Sequence, residues 1–388
     1  MTSAPETSIS QLEGVVHAER GFLPVSDPLV CLPGVFSVWD EVARDLPKLL
    51  PAERVRCVVD QLPELDAAGL PDAGVRRAMM VLSFIGHAYV YQCWRSGAAS
   101  EVPAVLARPW HAVASRLGRP PILSYASYAL DNWRRLDPAG PIALGNIALL
   151  QNFLGGLDEE WFVSVHVHIE AHAAPALRAL PRAQDSAAHA DAAALIDELQ
   201  TIAAALERMH HALLRMPENC DPYIYYQRVR PFIHGWQLHP VVYVGVAEYG
   251  GEPQTFHGET GAQSSIIPCL DAALGIRHRS DELRVYLQAM RQYMPRGHVR
   301  FLSQLESRSA VIRSFVASCS DTSLLDAYNA CVNLVEAFRS THLEYAARYI
   351  QKQAPVGVNS TEYGTGGTPF MRYLKKHRDE THKHRLAS

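Results

Sequence analysis

Eighteen histidines are many for 388 residues, and one of them, His342, is set apart by its neighbours. Tyr328, Cys331, Val335, Phe338, Tyr345 and Tyr349 recur around it at helical steps, placing it on the apolar stripe of one long helix. A buried imidazole needs a partner for each ring nitrogen, either a hydrogen-bonding group or a metal. A core histidine satisfied by its neighbours meets that need without any function. Zinc or non-heme iron would require further His, Asp or Glu at ligand spacing, and none shares the helix face with His342. Heme needs one such ligand, with the macrocycle filling an apolar cavity. That asymmetry makes heme the most economical metal for this residue.

Three further segments hold residues able to bind a ligand. His166 and His168 lie two apart in Trp161–Glu170 (WFVSVHVHIE). A strand would put both on one face, with Val163, Val165 and Val167 on the other; a helix would put Phe162 and His166 one turn apart. Both readings stand, as does a pair of surface histidines. Arg230 follows Tyr223, Tyr225 and Tyr226 and precedes Pro231. The proline disfavours the right-handed helical region at Arg230, so a helix should end or kink there. A guanidinium among aromatic rings suits an aromatic ligand bearing a carboxylate, which it can hold bidentately. A surface arginine at a helix C-terminus is the plainer alternative. Tyr363–Thr368 (YGTGGT) has three glycines in six residues, which suits a lid closing over an anionic group or a linker.

Helical periodicity governs the elements that must position these residues. Leu195, Leu199, Ile202, Leu206, Met209 and Leu213 mark an amphipathic helix within Asp191–Arg215, and a second runs over Leu324–Gln351. A third is expected at Asp281–Tyr293 with Ser280 as N-cap, and a fourth over Ile122–Leu136, opened by Pro120 and Pro121. Breakers cluster at Gly155–Gly156, Pro217–Pro222, Gly250–Gly261 and Pro355–Thr368. Alternating strand patterns are nearly absent, and there is no repeat, Walker loop or dinucleotide-binding glycine motif. The expected fold is all-α, a smaller helical domain over residues 1–150 followed by a larger bundle over 151–388 that ends in the glycine-rich loop.

Composition narrows the class. Hydrophobic residues make up 48% and charged residues 20%, enough apolar material for a sizeable core without staples. A net charge of −4 offers no cationic field for nucleic acid, and the basic run Lys375–Arg385 reads as a solvated tail. Seven scattered cysteines without a CxxC pair fit a reducing compartment. Met1–Arg20 lacks the pattern of a signal peptide, and the most apolar window, Met79–Trp94, is short and interrupted by Gly86 and His87. A cytoplasmic protein that binds neither membrane nor nucleic acid is expected.

Taken in order, several segments resemble the indoleamine 2,3-dioxygenases: Arg119–Trp133 (RPPILSYASYALDNW), Gly261–Ser265 (GAQSS) with Asp271 and Leu274–Ile276, and Arg291–Pro295 (RQYMP). The series continues with Phe301–Glu306 (FLSQLE), Leu324–Tyr349 including Arg339–His342 (RSTH), and Gly364–Thr368 (GTGGT). The resemblance implies heme b held in the larger domain with His342 as its proximal ligand, and an Arg339–Asp271 ion pair near a propionate. It implies a substrate pocket lined by Tyr125, Phe162, Tyr225, Tyr226 and Gly261. Arg230 would bind the substrate carboxylate, under a loop containing Gly366, Gly367 and Thr368. His166 stands where the best-known members have serine, whereas the related tryptophan 2,3-dioxygenases place a histidine against the indole N–H. His166 is therefore expected in the catalytic site as an orienting group. Tyr128 replaces a small residue, and with Tyr225 and Tyr226 it makes the pocket more polar or narrower.

The implied reaction is insertion of both atoms of O₂ across the indole C2–C3 bond of L-tryptophan, giving N-formylkynurenine. Its implied partners are L-tryptophan or a related indole, O₂ and an electron donor for ferric heme, with the protein a monomer. Two alternatives share these residues: another oxidation of a modified tryptophan or indole, and a heme or tryptophan sensor without turnover.

Overall fold

A computed structural model describes residues 15–387 except 94–96, 280, 281, 356 and 358. Helices dominate it, and the strands are two-residue pairings, Glu101–Val102 with Val242–Tyr243 and Arg134–Arg135 with Ile147–Ala148. The first helices are α1 (Ser37–Leu49), α2 (Val55–Val59), α3 (Asp72–Tyr91) and α4 (Ala104–Leu117). Nearly every residue of α3 from Val75 onward is buried, which is why its apolar residues show no single stripe. Gly86 is required there, because a Cβ would collide with the Trp110 ring that α4 lays against it.

α5 (Leu157–His172), α6 (Ala174–Ala188) and α7 (Ala192–Leu214) follow in quick succession, then the single turn α8 (Pro222–Ile224). All six stripe residues of α7 are buried, and the Asp191 carboxylate caps it by accepting from the Ala194 N–H. α9 (Ile266–Leu274), α10 (Glu282–Met290), α11 (Arg296–Ser307) and α12 (Val311–Ser318) lead to α13 (Thr322–Ala346), and α14 (Phe370–His382) closes the chain. α10 continues as a 3₁₀ turn through Tyr293; its expected cap, Ser280, lies outside the described residues, as do Trp94 and the first fourteen residues. Buried apolar side chains from both halves of the chain form one continuous cluster. Among the described residues no disulfide forms, and no helix is long and apolar enough to cross a membrane.

Three local expectations are corrected. The run Ile122–Leu136 is no α-helix; it holds a π-helical turn, Ala126–Leu130, and then a strand. Buried side chains impose this: Gln263 Oε1 accepts from the Tyr125 N–H, and Asn132 exchanges two 2.8 Å bonds with the main chain of Gln151. The basic run Lys375–Arg385 is no solvated tail. Most of it belongs to α14, which packs on α13 and buries Glu380 and Thr381. Arg230 is right-handed helical (φ −56°, ψ −35°) despite Pro231. The expected break is taken up instead by a change of helix type, from a π turn over Tyr225–Val229 to a 3₁₀ turn over Arg230–Ile233.

Candidate functional site

Two histidines show what a filled and an unfilled imidazole look like in this fold. His87, at the centre of α3, has Nδ1 2.7 Å from the Phe232 carbonyl oxygen, while its Nε2 accepts from the Leu123 N–H at 3.0 Å. Both nitrogens are used, and burial, opposed by the Phe232 carbonyl, pushes its pKa down to about 3. His342, late in α13, makes no hydrogen bond among the described residues. Burial first, then His166 and Arg339, push His342 down to about 4, yet its ring is exposed by surface area. Both facts hold if that surface faces a recess enclosed by protein rather than bulk water. An uncharged imidazole open on one side can ligate a metal.

His166 faces the same recess from α5; the region Trp161–Glu170, open between strand and helix, is helical throughout. Its Nδ1 lies 2.7 Å from the Phe162 carbonyl oxygen. A carbonyl can only accept, so Nδ1 carries the hydrogen. Burial, opposed by that bond, lowers the pKa, so the ring is neutral and Nε2 is left as an acceptor. His168 is turned away and pairs with His172, Nε2 to Nε2 at 3.1 Å. Aromatic rings build the adjoining wall: Phe162 lies 4.6 Å from His166 and 4.7 Å from Tyr225, centroid to centroid. Tyr125 meets His166 edge-on at 5.9 Å, and Tyr128 stands 6.4 Å from Phe162 with its buried hydroxyl unpartnered. Gly261 is exposed, and a Cβ on it would meet nothing within 4 Å, so this side of the wall is open.

Arg230 has 0% of its surface accessible. Its guanidinium donates to Asn359 Oδ1 at 3.0 Å and to the Tyr363 carbonyl at 2.7 Å, and lies over the Tyr226 ring at 5.4 Å. Its Nε has no partner, and no carboxylate pairs with it among the described residues. Burial lowers its pKa. The loop beyond is held in place: Gly364 N–H donates to Thr368 O at 2.8 Å, and Gly366 O lies 2.6 Å from His257 Nδ1. A Cβ on Gly366 would strike the Tyr286 hydroxyl, and Gly367 sits at φ +80°. The Tyr286 hydroxyl bonds to Thr260 and Thr368.

Beside His342, Arg339 donates to Asp271 Oδ2 at 2.5 Å and to the Thr381 hydroxyl. Asp271 also meets His278 Nε2 at 3.2 Å, and His278 Nδ1 reaches Glu380 at 2.8 Å. Burial opposes ionisation of Asp271, but Arg339 and His278 outweigh it and hold the carboxyl below its usual range. Among the described residues no group of three or more His, Cys, Asp and Glu could hold a metal ion, so none of them adds co-ligands to His342.

The family model for indoleamine 2,3-dioxygenase matches residues 13–384. The chain belongs to that family. Rat indoleamine 2,3-dioxygenase 1 is 36% identical, the match covering 99% of each chain. The Saccharomyces cerevisiae indoleamine 2,3-dioxygenase is 35% identical over 94% of this chain and 91% of its own. A protein of the abalone Haliotis madaka named myoglobin is 32% identical over 95% and 97%. Indoleamine 2,3-dioxygenases are heme-dependent oxidoreductases, and this chain is of that type. Its recess fits the group: one uncharged imidazole without a hydrogen bond, aromatic walls, and an Arg339–Asp271 ion pair beside the imidazole.

Some residues of this indoleamine 2,3-dioxygenase site were not singled out from sequence. Glu170 Oε1 accepts from the Tyr125 hydroxyl at 2.9 Å and from Ser264 at 3.0 Å, while Oε2 is buried without a partner. Burial, opposed by those two bonds, pushes its pKa to about 7. Asn359, His278, Glu380 and Glu259 were likewise silent. Only Glu259 had a signal in reach, as an acidic residue two positions before GAQSS.

Proposed function

We propose that this protein is a heme-dependent dioxygenase cleaving the indole C2–C3 bond of L-tryptophan or a closely related indole to an N-formylkynurenine. The observation that carries this reading is Arg230, a fully buried cation beside aromatic rings with no acidic partner among the described residues. Burying such a charge is costly unless a counter-ion completes it, and a substrate carboxylate is that counter-ion. Heme b, ligated by His342, would supply O₂ activation, both oxygen atoms entering the product.

The chain's own residues bind and orient. Arg230 takes the carboxylate under the loop bearing Gly366, Gly367 and Thr368. Phe162, Tyr125 and Tyr225 pack the indole, with Tyr226 stacking on Arg230 and Gly261 leaving room on the open side. His166 Nε2 accepts the indole N–H, which fixes the ring's rotation and favours an unmethylated nitrogen. Arg339, held by Asp271, keeps a cation behind His342 for a propionate. Residues 1–150 and 151–388 are proposed as a smaller and a larger domain, working in the cytoplasm as a monomer with an external electron donor.

The test is a spectrum of the heme-supplemented protein, reduced without oxygen and then given O₂ and L-tryptophan. A histidine-ligated Soret band followed by N-formylkynurenine absorbance is expected. A second reading, ligand binding without turnover, is favoured by the Haliotis relatives named myoglobin; a stable oxygenated spectrum without product would select it.

A further inference from the structure

A buried carboxyl stands behind the aromatic wall of the recess, and segments distant in sequence converge on it. We propose that Glu170 is a positioning residue for the reaction, fixing the Tyr125 ring and the Gly261 turn against α5 so that a bound indole keeps one orientation. This rests on the reading of the recess as an indole site and adds to it a residue that acts through Tyr125.

Glu170 lies four residues beyond His166 on α5, hence one turn along the same helix face. It is 1% exposed. Its Oε1 accepts from the Tyr125 hydroxyl at 2.9 Å and from the Ser264 hydroxyl at 3.0 Å. Tyr125 opens the π turn over Ala126–Leu130, and Ser264 closes the 3₁₀ turn Gly261–Gln263. A further bond ties these two turns directly, from the Tyr125 N–H to Gln263 Oε1 at 2.9 Å. Gln263 Nε2 in turn donates to the Gly258 carbonyl at 2.9 Å. Tyr125 is therefore held at both ends, by its main chain and by its hydroxyl. A phenol is rigid, so fixing its oxygen fixes the ring that meets His166 edge-on at 5.9 Å.

Stability alone would not favour this arrangement. A buried carboxyl is costly to desolvate, and the raised pKa of Glu170 records that cost. Only one of its oxygens is hydrogen-bonded, while Oε2 is buried without a partner. What the carboxyl adds is direction, since hydrogen bonds fix distance and angle where apolar contacts tolerate sliding. Side chains that touch a ligand keep a productive geometry when further hydrogen bonds lock them from behind.

The test measures kcat/KM for L-tryptophan per heme on the heme-loaded full chain, a quantity that a fall in stability alone leaves unchanged. Glu170→Ala should lower it about tenfold, with the Soret band unmoved, for the loss of two hydrogen bonds of modest strength. Glu170→Gln keeps an acceptor oxygen and should return kcat/KM to within about twofold of the wild type. Tyr125→Phe, which removes only the hydroxyl, should also lower kcat/KM. The double variant Glu170→Ala/Tyr125→Phe should then be no worse than Glu170→Ala alone. Additive losses overturn the proposal, because Glu170 would then act independently of Tyr125. So does an unimpaired Glu170→Ala, or a Glu170→Gln as impaired as the alanine variant. Should Glu170→Ala not fold, Tyr125→Phe decides, and full activity there overturns the proposal. A wild type that turns over no L-tryptophan sinks the indole-site reading and this inference with it; every other negative result falls on Glu170 alone.

Discussion

Behind His342 the buried polar side chains meet partners supplied by the chain: Arg339 pairs with Asp271, Asp271 meets His278, and His278 meets Glu380, with Asp271 Oδ1 left over. Across the recess the pattern reverses. Among the described residues Arg230 has no acidic partner, the Glu259 carboxyl makes no hydrogen bond, and Glu170 and Tyr128 each leave an oxygen unused. A buried cation without an ionic partner opposes folding, so the guanidinium of Arg230 points to something other than the chain completing this wall. On the proposed reading, the wall behind His342 serves permanence and the wall around Arg230 serves exchange. The comparison makes quantitative demands on each side.

The largest effect should fall on His342. His342→Ala should abolish heme retention, read as loss of the Soret band after desalting; an unchanged band would refute the ligand assignment. Arg339→Ala should then lower the stability of the heme-free chain by about 3 kcal/mol, because it leaves Asp271 buried with a weaker partner. A loss within about 0.5 kcal/mol in a denaturant titration would mean the pair behaves as a surface one. Arg230→Ala should raise the KM for L-tryptophan roughly ten- to a hundredfold, with the heme spectrum unaltered, for the loss of a contact worth ~1.5–3 kcal/mol. An unaltered KM would erase the contrast between the two walls.

Glu170 carries a pH signature. Its folded pKa is raised from 4.5 to about 7 by burial, so its contribution to stability is present below pH 4.5 and is lost as pH rises through 7. Glu170→Gln should therefore gain on the wild type between those values and plateau above them. A difference independent of pH would show that the wild-type carboxyl does not titrate in that window. The smallest effect belongs to His166. His166→Ala should lower kcat/KM for L-tryptophan only several-fold, since one neutral hydrogen bond is worth about 0.5–1.5 kcal/mol. It should also remove any preference over 1-methyltryptophan. A thousandfold loss would instead make His166 a proton-transferring group.

What was legible in the sequence followed periodicity. The α7 and α13 stripes persist over several turns, so helix and inward face could be read together, and His342 came with them. His166 was harder, because alternate valines fit a strand and a one-turn spacing fits a helix; packing around α5 decides between them. The π turns at Ala126–Leu130 and Tyr225–Val229, which carry or adjoin the wall tyrosines, change register by one residue, and no residue type announces that. Glu170 and Glu259 look like ordinary surface acids in a sequence, since their burial is decided by segments far away. Lys375–Arg385 misled for the converse reason: a basic run looks solvated, yet Glu380 and Thr381 within it face inward. The roles of the wall residues came from family resemblance, not from spacing.

The guanidinium of Arg230 donates to Asn359 and to the Tyr363 carbonyl while keeping Nε in reserve. With a ligand carboxylate on Arg230, as proposed, segment and ligand would draw on a single hub, and their equilibria would be linked by thermodynamic necessity. Whatever factor an arriving carboxylate multiplies onto the ordered population of residues 359–368, a substitution in that segment multiplies back onto affinity. Evolution or an engineer could then retune this protein's grip on its ligand at Asn359 without altering one atom of the cavity wall.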